Sequence, residues 1–432
     1  MEGSAQAKKT FTTDAAGLDL SKFLRPGDRI VWGQACGEPT TLIEALIEQA
    51  EAIGGISAFA ATSFSGLLDG AAAEKFAIGS MGAIGALRAL TAAHRLSILP
   101  CHVSQVGPMI EQGLIGCDVA FVQVSPPDAA GRHSYGLIND FIHTAVAKAR
   151  VVIAEVNERV PFTHGDVALS ADCIDCAVQV ARTPVEVFPA RIDETDQAIA
   201  RNVAQYIGDG AILQVGIGAV PDAMLRLLHD RRDLGVHSGM LGDAIVDLVE
   251  AGVVTNSQKP FDAGVSVTTA LIGTQRLYDF AHRNPLVSVR TSAYTHDAGL
   301  LSRLPKLLAI NSAIEVDVTG QVNAEQSGAQ YLGGTGGQGD FVRAGSRSAG
   351  GHSIIALPAT AKRGELSRIT AQLSGPVTTA RSDVDVIVTE FGAAELKGQT
   401  LAERTRRLIA IAHPTFREAL DREVYVIRRR GF

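Results

Sequence analysis

The chain has 432 residues, of which 46% are apolar and 20% charged, and its formal net charge is −7. That length allows two or three domains around a large core, with no need of a disulfide or metal staple. The negative balance offers no basic field to nucleic-acid phosphates, and no apolar run approaches a membrane-spanning length, so neither partner is expected.

The first residues, MEGSAQAKKTFTTDAAG, hold no apolar core. They are not read as a signal peptide, and the cytoplasm is the expected location. The first apolar run is Ile30 to Trp32, followed by a glycine-bearing loop and an amphipathic stretch from Thr41 to Ala52. Further short apolar runs follow at Val119 to Val124 and Val151 to Val156. Continuous runs of this kind suit parallel strands buried on both faces. Cys173 and Cys176 form a lone C-x-x-C. No second pair accompanies it, so it reads as two ordinary thiols, and five scattered cysteines fit a reducing compartment.

At Phe188 to Asp196 the apolar runs give way to charge, which sets the expected boundary between an N-terminal lobe (1–190) and a C-terminal lobe (191–432). The second lobe opens as the first does. From Gly27 the chain reads GDRIVWGQACGEPTTLIEAL, and from Gly208 it reads GDGAILQVGIGAVPDAMLRL. Each starts with Gly-Asp, runs through a strand, and reaches a glycine ten residues on (Gly37, Gly218). A proline follows (Pro39, Pro221), then an amphipathic helix; proline suits a first helical turn. Further runs lie at Leu308 to Ile310, Ile354 to Leu357 and Val384 to Val388. The fold class is therefore α/β: two lobes, each an open, mostly parallel sheet flanked by helices, with a ligand expected in the cleft between them. The basic cluster Arg428 to Arg430 reads as a solvated tail.

Several chemistries are excluded by pattern. The Gly333 to Gly339 cluster is not followed by Lys-Ser/Thr and is no P-loop. Gly216-Ile217-Gly218 lacks the third glycine of a dinucleotide fingerprint. The histidines show no metal-binding spacing, and no G-x-S-x-G elbow marks a serine hydrolase. No metal and no tightly bound cofactor are expected. The glycine loops could present backbone N–H groups to an oxyanion or an amide.

Longer motifs carry a resemblance. These are LQVGIGAVPDAML, HSGMLGDAIVDLVEAGVVTN (237–256), INSAIEVDVTGQVNAE (310–325), GGTGGQGDFVR (333–343), GGHSIIALPATAKRGELSRI (350–369) and IAHPTFREAL (411–420). With GDRIVWGQACGEPT and VSPPDAAGRHSYG (124–136) in the first half, they resemble the acetyl-CoA hydrolase/transferase family, the class I CoA-transferases that include 4-hydroxybutyrate CoA-transferase. The resemblance covers nearly the whole chain. It implies a CoA-transferase-like fold of two lobes and a ping-pong exchange of coenzyme A between a small acyl-CoA and a carboxylic acid. A glutamate attacks the thioester, passes through an acyl-glutamyl anhydride, and carries CoA as a glutamyl thioester. Itaconate, succinate and 4-hydroxybutyrate are the candidate acids. CoA thioester is then substrate rather than cofactor, and a homodimer or higher homo-oligomer is expected.

One departure matters. Similar proteins carry the nucleophile as the Glu of an H-S-E-M motif, whereas this chain reads His237-Ser238-Gly239-Met240. The resemblance to itaconate CoA-transferase, which also lacks that glutamate, implies a nucleophile in the first lobe. Glu38, beside Gly37 and Pro39 at a helix start, is the first candidate; Glu390, ending a buried run, is the second. Glu325 could orient substrate. Gly216, Gly218, Gly239, Met240, Gly334, Gly336, Gly337 and Gln338 are the expected substrate and CoA contacts. Arg132, Arg343 and Arg368 are candidate grips for a carboxylate. Two alternatives stand beside the transferase: an acyl-CoA hydrolase of the same family, and a non-catalytic acyl-CoA-binding protein.

Overall fold

The computed structural model describes residues 10–429; the N-terminal residues read above as lacking a signal peptide, and Arg430 of the basic cluster, lie outside the described residues. The chain forms two compact units. The first runs through Val187 and takes in Thr268–Tyr294, and the second comprises Phe188–Val267 and Thr295 onward.

The first unit is built on a parallel sheet. Its strands run in the order Phe11–Asp14, Cys176–Val180, Val151–Asn157, Val119–Val124, Arg29–Trp32, Ser57–Phe59, Ala77–Ser80 and Leu96–Ile98. Every neighbouring pair is parallel. The apolar runs sit at its centre because both faces are covered: each residue of Val119–Val124 and Val151–Asn157 is buried. Val31, Ala120, Phe141 and Val152 pack on one face. Ile30, Trp32, Phe121, Ile153 and Leu46 pack on the other. This alternation along a strand is the period-two pattern of the pleat.

In the second unit the strands run Gly235–Leu241, Ile212–Val215, Leu307–Asn311, His352–Ala356, Val386–Thr389 and Gly392–Glu395. The first five are parallel to their neighbours, and the last turns back antiparallel as a hairpin. Both units are thus open, mostly parallel α/β layers, as the apolar runs predict.

The repeated opening is real in three dimensions. Arg29–Trp32 leads into the helix Thr40–Ile53, and Ile212–Val215 leads into the shorter helix Ala219–Arg226. Both strands are interior to their sheets. The prolines differ in role: Pro39 caps the first helix, while Pro221 lies inside the first turn of the second.

The sequence reading of two contiguous lobes, 1–190 and 191–432, does not contain the excursion Thr268–Tyr294. That segment is stitched to the first unit by backbone bonds: Asn139 N–H to Thr269 O (3.0 Å), Leu271 N–H to Leu137 O (2.8 Å), Arg283 N–H to Phe162 O (2.8 Å) and Val289 N–H to His164 O (2.7 Å). The hydroxyl of Tyr278, itself buried, donates to Val185 O at 2.6 Å. Among the described residues, no helix is long and apolar enough to cross a membrane.

Candidate functional site

The strand Arg29–Trp32 ends in the loop Gly33 to Pro39, and hydrogen bonds to side chains distant in the chain hold this loop and the helix start that follows it. Gln34 Nε2 donates to Asp140 Oδ2. Gln123 Nε2 donates to Cys36 O at 3.3 Å. Glu155, in the fully buried strand Val151–Asn157, accepts from Thr41 N–H at 2.8 Å and caps the first turn of the helix Thr40–Ile53. Its other oxygen, Oε1, is buried without a hydrogen-bond partner. Burial pushes the Glu155 carboxyl up to about 7, against the pull of the Thr41 and Leu42 N–H groups and Arg182. Asp140 is raised to about 6, again by burial.

Glu38 sits within this loop and is fully buried. Ser63 Oγ donates to its Oε1 at 2.7 Å, and the N–H groups of Phe64 and Ser65 donate to Oε2, both at 2.8 Å. Burial raises its pKa, and these three donors act in the opposite direction. The arrangement makes a small anion socket: two adjacent backbone N–H groups and a hydroxyl converge on one carboxylate.

In the second unit the strand Gly235–Leu241 carries His237-Ser238-Gly239-Met240. Alternation sends His237 and Gly239 to one face and Ser238 and Met240 to the other. Ser238 Oγ donates to Val215 O at 3.0 Å and accepts from Val215 N–H at 3.3 Å, so it ties this strand to the residue before Gly216. Gly216, Gly218, Gly239 and Met240 are all partly exposed. Gly218 has φ +123 and caps the helix Ala219–Arg226; that backbone is open to glycine and strained for other residues. The Gly333 to Gly337 run leads into the helix Gln338–Arg347. The N–H groups of Leu332 and Gly333 both donate to Glu325 O. Gly334, Gly336 and Gly337 are partly exposed, whereas Gln338 is buried and donates to Thr379 Oγ1 at 3.0 Å.

His296 joins this group. A Cβ placed on Gly239 would lie 2.9 Å from His296 Nε2, and one placed on Gly337 would lie 2.6 Å from it. The ring packs edge-on against Phe341 at 4.9 Å, and burial lowers its pKa to about 4.

The remaining candidates are committed to local bonds. Glu390 is partly exposed and accepts from Ala359 N–H at 2.8 Å. Glu325 is buried, accepting from Thr378 Oγ1 at 2.8 Å and from the Tyr331 hydroxyl. Arg132 pairs with Asp128 (2.8 Å) and Arg343 with Asp383 (2.9 Å), and both arginines are largely exposed. Arg368 donates from Nη1 to Ala313 O at 3.3 Å, while its Nε is buried without a partner. Cys173 and Cys176 are free thiols. Among the described residues no cluster of His, Cys, Asp and Glu is placed to hold a metal ion. A cavity of about 600 Å³ in the first unit is lined by Glu158, Arg159, Glu186 and Arg283 among others, so it mixes both signs of charge and contains none of the nominated residues.

The acetyl-CoA hydrolase/transferase N-terminal domain matches residues 15–189, and the C-terminal domain of the same family matches residues 273–424. The chain belongs to the acetyl-CoA hydrolase/transferase family. Its relatives include the 4-hydroxybutyrate coenzyme A transferase of Clostridium kluyveri, 39% identical over 399 residues, covering 91% of this chain and 93% of that one. The succinyl-CoA:cyclohexane-1-carboxylate CoA transferase of Geobacter metallireducens is 37% identical over 70% of each chain. In structure, RipA from Yersinia pestis superposes with a TM-score of 0.90 at 32% identity, covering 97% of both chains. This kinship places the chain among the family's CoA-transferases.

Of three further features of this family member, one is legible in its sequence and two are not. Glu155 was visible as a charge inside VVIAEVN, an apolar strand, and a buried charge there asks for a partner. Asp140 and His296 carry no local signal, because what defines them is distant in the chain.

Proposed function

We propose that this protein exchanges coenzyme A between a small acyl-CoA and a carboxylic acid, with Glu38 as the carboxylate that takes up the acyl group and then CoA. The observation that carries this reading is Gly239: the H-S-x-M strand has no side chain at the position where the resemblance implies the nucleophile, so a carboxylate must come from elsewhere. Glu38 lies on the loop between an inner strand and its helix, within a ready anion socket.

The chemistry requires one oxygen of Glu38 to exchange its donor for the thioester carbon. Ser63 supplies the donor that a side-chain rotation releases, which frees Oε1. The Phe64 and Ser65 N–H groups then remain on Oε2, where they stabilise the charge that returns when CoA thiolate attacks the anhydride. Both halves of the exchange pass through the same carbonyl, as a ping-pong route requires. Small acids such as succinate, 4-hydroxybutyrate and itaconate are the acceptors to assay first. The protein would act as a symmetric oligomer, with CoA thioester as its substrate and no tightly bound cofactor.

The test is to add acyl-CoA, trap with hydroxylamine or borohydride, and map the modified peptide. The expected peptide contains Glu38. Glu38→Gln keeps acceptors for the two N–H groups but removes the nucleophile, so exchange should fall by on the order of a thousandfold or more while CoA binding persists. Full exchange in that variant, or a modified peptide containing Glu390, sinks the assignment. Thiol release without transfer to an added acid would make the protein a hydrolase instead.

A further inference from the structure

The space beside Gly239 is filled by an imidazole. His296 is 4% exposed, and its Nδ1 pairs with Thr295 Oγ1 at 2.8 Å. Among the described residues Nε2 has no hydrogen-bond partner. It points into the cradle between Gly239 and Gly337, close enough that a Cβ at either position would press on the ring. Both glycines are partly exposed. An unpaired ring nitrogen on a largely enclosed side chain, beside two partly exposed glycines, is a donor or acceptor that a ligand entering there can engage. Nothing cationic is asked of it: a ring this deeply enclosed among Phe341 and two glycines is held neutral, so it offers one donor or one acceptor and no charge.

We propose that His296 Nε2 donates a hydrogen bond to the thioester carbonyl of bound acyl-CoA, occupying the place that Gly239 vacates. The proposal rests on the reading that the His237 to Met240 strand lies at the thioester. An acyl group such as acetyl presents only a carbonyl acceptor, which selects the tautomer. In that tautomer the 2.8 Å contact, which either atom can donate, runs from the Thr295 hydroxyl to Nδ1, and Nε2 carries the proton. A neutral imidazole donor polarises a carbonyl without forming an ion pair with a carboxylate nucleophile, so it is compatible with attack by glutamate. It also gives the motif departure a physical reason: a side chain at 239 and the imidazole at 296 compete for one space.

The experiment is calorimetric titration of the full-length protein with acetyl-CoA and, separately, with free CoA. His296→Asn places an amide where Nδ1 was but removes the Nε2 group, whereas His296→Gln keeps a donor at that reach. His296→Asn should weaken acetyl-CoA by roughly tenfold, the loss of one buried hydrogen bond, and leave free CoA unchanged. His296→Gln should recover most of the affinity. Gly239→Ala should weaken acetyl-CoA as well, by displacing the ring, and adding His296→Asn to it should cost nothing further. Thermal unfolding of each variant identifies any that fails to fold; if His296→Asn is one, the comparison of Gly239→Ala with wild type decides. Equal affinity for acetyl-CoA in wild type and His296→Asn, an equal loss for both ligands, or no acetyl-CoA binding by wild type overturns the proposal. Wild type that binds acetyl-CoA but transfers CoA to no acid refutes the transferase reading alone, and the His296 contact is still read from affinity.

Discussion

Glu155 brings a carboxylate into a strand with no exposed residue, and only one of its two oxygens finds donors there. Its carboxyl is raised from 4.5 to about 7 by burial, so the folded protein holds a proton that the unfolded chain has already released. Stability contributed by the protonated form is complete below about pH 4.5 and declines as pH rises toward about 7, then levels. Glu155→Gln is neutral throughout and should remove this decline, worth at most about 3 kcal/mol. Urea midpoints of the two proteins between about pH 5 and about pH 8 check it: the wild type should lose ground to the variant as pH rises. Parallel curves would mean that Glu155 stays ionised in the fold. Asp140, which burial also raises to about 6, is present in both proteins and forms a common background. His296 was out of reach for a reading of residues alone, since its meaning lies in Gly239 and Gly337, which are near it only once the chain has folded. Glu38 was legible as a carboxylate at a helix start, but its socket comes from Ser63 to Ser65, on the loop after a neighbouring strand.

The strands that a sequence announces are those covered on both sides. Val119–Val124 and Val151–Asn157 are apolar runs interrupted only by Gln123, which reaches Cys36 O, Glu155, which reaches Thr41 N–H, and Asn157, which donates to Arg182 O. The strands Ser57–Phe59, Ala77–Ser80 and Leu96–Ile98 are too short to show a period, and their places follow from pairing with Arg29–Trp32 and with one another. Loops divide in the same way. The Gly333 to Gly339 cluster was plain as a glycine-rich loop, but what shapes it was not. Leu332 and Gly333 both donate to Glu325 O, which draws the loop so near the chain that a Cβ on Gly333 would fall 2.1 Å from Ala324 O. Gly333→Ala cannot fit that approach, so the loop must move and carry Gly334 to Gly337 with it. A displacement of about an ångström at a reacting centre lowers kcat/KM by about 10- to 100-fold. Exchange kinetics alongside a thermal melt test this; unaltered kcat/KM would show that the loop's position is immaterial.

At the scale of the molecule, the excursion Thr268–Tyr294 completes the first unit. A fragment ending at residue 190 therefore lacks the partners of Leu137, Asn139, Phe162 and His164, and it leaves the acceptor of Tyr278 unfilled. Joining Val187 to Thr268 by a flexible Gly/Ser linker should restore them, because Val187 N–H already donates to Gly273 O at 2.9 Å. The linked chain ending at Tyr294 should unfold in one cooperative transition, whereas the 1–190 fragment should not; a sharp transition for the short fragment refutes the dependence. The composition shift at Phe188 marked where the chain leaves this unit, but the return is invisible in sequence because Ser266–Leu271 is one more buried strand among many. The same threading has a consequence in time. During synthesis the first unit cannot close when Val187 emerges; it waits about a hundred residues for Tyr294, roughly 5–20 s at ordinary elongation rates. For that interval the first unit lacks the segment that pairs with Leu137, Asn139, Phe162 and His164.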